Sequence, residues 1–135
     1  MMRKWLFPSL LLAVSASPGF AQNMPACNMG GGANYSPSGG VGAASITLIP
    51  AAPSGVVRTG IFIELLTASA SLGVNTTGAA ASTSAAGNIV ITTGASAPQN
   101  VAFINFSSMG FIPQGAITAI ADGASRVVSA WACPQ

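Results

Sequence analysis

The chain has 135 residues, half of them hydrophobic and only 4% charged, with four basic side chains, two acidic ones and no histidine. That is room for one domain. It excludes nucleic-acid binding and polybasic membrane contact, which need many cations, and it leaves a serine triad without its base and a zinc site without its ligands.

In chain order, Arg3 and Lys4 precede a short apolar stretch over residues 5–16. Pro18 and Gly19 break it, and Gly19 and Ala21 place small residues before Gln22. This pattern predicts a signal peptide over residues 1–21, cleaved after Ala21. The stretch is shorter than the roughly 20 residues a bilayer span needs, so no membrane anchor is expected after cleavage. The expected location is secreted, periplasmic or at the cell surface. Cleavage removes the excess charge, because Arg58 and Arg126 then balance Glu64 and Asp122. Near-zero net charge favours self-association.

Residues 22–40 are rich in glycine and proline and read as an irregular entry segment. The glycines at 30–32 lack the following Lys-Ser/Thr of a phosphate loop. Two cysteines, Cys27 and Cys133, flank nearly all of the mature chain. In an exported protein an even count reads as a disulfide, here pinning the entry segment to the domain.

Residues 41–135 read as one β domain. Residues 44–49 alternate as a strand that Pro50 and Pro53 end. Residues 56–67 form the longest apolar run, and their β-branched content favours strand over helix. Ile61, Ile63 and Leu65 fall on one face, and Arg58, Gly60, Phe62 and Glu64 on the other. A strand is expected at 70–74, an exposed loop over 76–87, and strands at 88–93 and 100–106. Two further strands, at 116–121 and 126–132, flank Asp122-Gly123, a hairpin signal because both residues tolerate positive φ. Short strands with regular turn signals predict an all-β chain, a single antiparallel β-sandwich of jelly-roll-like or Ig-like kind.

Candidate chemistry is sparse. The two carboxylates available for acid–base work are Glu64 and Asp122, and both read better as structural. Arg58 and Glu64, six apart, share a strand face if the strand is regular, and cross-strand pairing would satisfy them. Phe62, Phe103, Phe106 and Trp131 fall in strand patterns and are expected in the core, which leaves Tyr35 and Phe111 as the candidate ligand contacts. No catalytic residue, cofactor or metal ligand is expected. Asn34, Asn75 and Asn105 begin glycosylation sequons.

Three segments carry a resemblance: Ser54-Gly55-Val56-Val57-Arg58-Thr59-Gly60, Phe111-Ile112-Pro113-Gln114-Gly115-Ala116-Ile117, and Ala121-Asp122-Gly123 leading to residues 125–131. Over residues 53–132 the chain resembles small phage-type β-sandwich proteins. The resemblance implies a β-sandwich structural or receptor-binding accessory, and an oligomer. The chain departs from that group in its leader and flanking cysteines, which a virion protein assembled in the cytoplasm does not need.

The sequence therefore predicts a secreted, non-enzymatic structural or surface-assembly β-sandwich. The alternative is an extracellular glycan- or receptor-binding adhesion module. Expected partners are further copies of itself or a cell-surface molecule.

Overall fold

A computed structural model describes residues 32–96 and 102–134. The expected leader over 1–21, Cys27 and the first two residues of the strand expected at 100–106 lie outside them. Eight strands follow in order: β1 (Ala33–Asn34), β2 (Ile46–Ile49), β3 (Arg58–Leu65), β4 (Ser71–Asn75), β5 (Ile89–Thr92), β6 (Ala102–Asn105), β7 (Ile117–Ala121) and β8 (Val128–Pro134). A 3-10 turn, Phe106–Met109, follows β6. All strand pairs are antiparallel. β1 lies within the segment read as an irregular entry, where Ala33 pairs with Ala132 of β8.

The strands form two four-stranded sheets, in the orders β1-β8-β3-β6 and β2-β7-β4-β5. The pairs β1–β8, β2–β7, β3–β6 and β4–β5 are those of one long antiparallel hairpin rolled up on itself. That is the double-sheet jelly roll, one of the two sandwich kinds the sequence predicts. The chain crosses from sheet to sheet at every connection except β4–β5.

This topology corrects the reading of Asp122-Gly123. The turn does not close a hairpin: β7 belongs to the second sheet and β8 to the first. It is a corner of the sandwich. The Asp122 carboxylate accepts the Ser71 amide at 2.9 Å and the Arg126 Nε–H at 2.9 Å, tying the corner to β4. The positive φ falls on Ser125, at 56°, and not on Gly123.

The core lies between the sheets. Ile61, Ile63 and Leu65 of β3 and Val128, Ala130 and Ala132 of β8 face Leu72 and Val74 of β4 and Ile117, Ala119 and Ala121 of β7. The alternation on each strand selects these residues. Phe106 is the one fully buried aromatic ring among the described residues. A register shift in β2 between Thr47 and Ile49 turns both Leu48 and Ile49 inward.

The connection over residues 76–88 is not a free loop. It lies flat on the outer face of the second sheet. Ala81 is buried and its amide donates to Ser45 Oγ at 2.8 Å. Thr118, on the outward side of β7, donates its hydroxyl to Ala79 O. Asn75, which begins a sequon, is buried and accepts the amide and hydroxyl of Thr77 at 2.9 and 2.7 Å. Gly73 makes room for the roof, because a Cβ there would lie 2.1 Å from Ser82 O.

Candidate functional site: the outer face of the first sheet

The outer face of the first sheet contrasts with that roofed face. Its residues follow from strand register. On β3 they are Phe62 and Glu64; on β8, Ser129 and Trp131; on β6, Phe103 and Asn105. Phe62 stands opposite both Trp131 and Asn105, and Glu64 opposite both Ser129 and Phe103. Alternation adds Leu66 and Val127 where the two strands begin to part, joined by a hydrogen bond from Leu66 N to Val127 O of 2.9 Å.

The face is largely apolar, and it is exposed along the edge strand β6 and where β3 and β8 part, not at its centre. Phe103 is 46% exposed, Leu66 42% and Val127 54%, whereas Phe62 is 8% exposed because it lies beneath its neighbours. The Phe62 and Phe103 rings stack with centroids 5.5 Å apart at 28°. Trp131 is half-buried and its indole N–H donates to Ser129 Oγ at 3.0 Å. Scattered exposed apolar residues need no explanation, but Phe103, Leu66 and Val127 stand at adjoining positions of one sheet face. Of the aromatic residues expected in the core, Phe106 is there. Phe62 is buried as well, although alternation puts it on the side away from the second sheet; Phe103 and Trp131 lie on that same outer side and are not buried.

The charged residues are distributed in a way the sequence did not reveal. Arg58 does not share a face with Glu64. The β3–β8 register shifts between Arg58 and Gly60, so the strand bulges and the alternation changes phase there. Arg58 is thereby turned into the end of the sandwich and buried. Its guanidinium donates to the carbonyls of Pro50, Pro113 (3.1 Å) and Gly115 (2.8 Å). The Gln114 side chain completes the clamp. Its Oε1 accepts the Arg58 amide at 2.7 Å and its Nε2 donates to Arg58 O at 3.1 Å, as a neighbouring strand would. Burial pushes the guanidinium below its ordinary value, and the charge that Tyr35 can carry partly offsets this. Arg126 is committed to Asp122.

Glu64 is different. Among the described residues it has no ion-pair or hydrogen-bond partner. It stands half-buried between Phe103 and Ser129. The two carboxylates thus lie apart, Asp122 at the corner and Glu64 on the sheet face. No group of three or more potential metal ligands occurs among the described residues.

The two aromatic residues read from sequence as ligand contacts do not form one platform. Tyr35 is half-buried, packs against the core, and donates its amide to Ala130 O at 2.8 Å. Phe111 is 47% exposed and meets Phe106 edge-on at 5.7 Å. Cys133 is buried and is not a free cysteine; it lies opposite Gly60 on the outward side of β8. Asn34, opposite Trp131, is exposed, so its sequon is accessible where that of Asn75 is not.

The chain matches no family model, no curated protein and no solved structure.

Proposed function

We propose that the protein is an exported, non-enzymatic jelly roll that works by contact, as a structural or surface-assembly module docking through the outer face of its first sheet. The observation that carries this reading is the asymmetry of the two outer faces. The chain roofs one with residues 76–88 and presents the other as an apolar, aromatic surface. The jelly-roll fold hosts many functions and adds no weight of its own.

The test compares wild type with the double variant Phe103→Ser, Val127→Ser. Both side chains are about half exposed, so the variant should keep its circular dichroism spectrum and its melting temperature to within a few degrees. Wild type is expected to be retained, with its partner, on the envelope of the cells that make it. The variant should be released as a monomer. Equal behaviour of the two proteins, by light scattering and by fractionation, would sink the reading.

Export and closure of the fold by a Cys27–Cys133 disulfide belong to the same proposal. The processed protein is expected to begin at Gln22 and to take up iodoacetamide only after reduction. N-terminal sequencing and intact mass check both points. Labelling without reduction would remove the disulfide.

A further inference from the structure

We infer that the partner this face takes is a protein segment presenting a basic side chain, arginine in preference to lysine, which seats its cation on Glu64 beside the ring of Phe103. The inference rests on the contact reading above and names the chemistry of the partner.

Charge complementarity carries it. Glu64 is an acid without a partner among the described residues, placed in the middle of an apolar face. Cross-strand neighbours bring their side chains within about 5 Å of each other, so the carboxylate and the exposed Phe103 ring border the same spot. A carboxylate beside an aromatic ring fits a guanidinium, which pairs with the acid through its planar fork and stacks on the ring. The apolar stem of the same side chain would lie along Leu66 and Val127.

A second copy of this chain does not fit. After cleavage of the expected leader its side-chain cations are Arg58 and Arg126. Arg58 is buried with three carbonyl acceptors, and Arg126 is bonded to Asp122. Pairing two copies face to face would also bring one Glu64 carboxylate towards another. The arginine must come from a different molecule.

The probe is a ten-residue Gly-Ser peptide with one central arginine, titrated into the oxidised, processed protein and followed by amide and indole NMR shifts. The lysine and citrulline versions of the same peptide complete the set. The arginine peptide is expected to shift Phe103, Ser129 and the Trp131 indole N–H, with the lysine peptide weaker. Glu64→Gln, a change of nearly equal size at a side chain that holds no structural bond among the described residues, should weaken binding about tenfold, as loss of a charged hydrogen bond does. Equal binding of the citrulline peptide, or unchanged affinity in Glu64→Gln, overturns the cation while leaving the face a contact surface. Absence of shifts with every peptide also overturns the inference. Failure of the contact reading is seen separately, in the Phe103→Ser, Val127→Ser comparison.

Discussion

Arg58→Leu is expected to cost about 3 kcal/mol of folding stability and to lower the melting temperature by about 15 °C. The side chain is one of only six charged side chains in the sequence, and it is spent on structure. Its guanidinium reaches the carbonyl that ends β2, at Pro50, and those of Pro113 and Gly115 before β7. Those carbonyls come from two loops that have no strand partner at that point. With leucine in place all three lose their donor; the bond to Pro113 O is buried and the other two part-buried, and a buried acceptor left unpaired costs about 1–3 kcal/mol. Arg58→Lys should recover less than half of the loss, because an ammonium lacks the planar fork that serves three acceptors in different directions. Gln114→Ala should act in the same place with a smaller effect, since the Arg58 backbone groups it serves lie closer to water. Urea titration and thermal melts measure all three. A loss below about 1 kcal/mol for Arg58→Leu would mean that water replaces the guanidinium, and the clamp would then not be what holds this end together.

Gly73→Val is expected to destabilise the protein by about 2–3 kcal/mol, or to lift the roof from the second sheet. No left-handed backbone is involved. The reason is distance alone. A Cβ on Gly73 would lie 2.1 Å from Ser82 O, 2.5 Å from Ser82 C and 2.9 Å from Thr83 N. All three are backbone atoms, so no side chain can rotate away. Either β4 shifts, which disturbs Leu72 and Val74 in the core, or the connection over residues 76–88 moves off the sheet. In the second case Ala81 becomes exposed and loses its hydrogen bond to Ser45. Amide hydrogen exchange separates the two outcomes. Faster exchange confined to the roof would mean displacement of the roof, and faster exchange in β4 and its neighbours would mean strain in the sheet. A Gly73→Val protein with wild-type stability and exchange would contradict the close approach. In the displaced case the second sheet would gain an open outer face, and with it a new tendency to associate, which light scattering would register.

The glycine could not have been singled out from sequence. Gly73 sits in Ser71-Leu72-Gly73-Val74-Asn75, where any small residue satisfies the strand pattern. What makes it indispensable is a carbonyl nine residues further on, brought back over the strand by a connection that reads as low-complexity loop. The same separation of local pattern from tertiary placement runs through the site. The alternation that groups Phe62 with Glu64 and Leu66, and Val127 with Ser129 and Trp131, is plain in the sequence. Which of the two faces looks outward is not, because both carry apolar residues. Only the position of the second sheet decides it, and it places three aromatic residues expected in the core on the opposite side.

What the sequence determined by itself is the class of the molecule and the identity of its strands. Period-two alternation in β-branched residues, punctuated by proline and glycine, is a local property, and it located seven of the eight strands among the described residues. β1, two residues long, lies in a segment whose glycines and prolines hide it, and its pairing with β8 supplies the order that its own residues do not. Tertiary structure alone decided the rest. A turn signal such as Asp122-Gly123 reports that the chain reverses, but not whether the next strand joins the same sheet or the facing one. A bulge at the start of β3 moves Arg58 out of phase with Glu64; Gly60, a glycine inside a strand pattern, marks a place where the strand can bend, but not where Arg58 then turns. The contrast between a buried, carbonyl-bound arginine and an unpartnered glutamate arises from that one shift in register, since strand phase fixes which side of a sheet each side chain can reach.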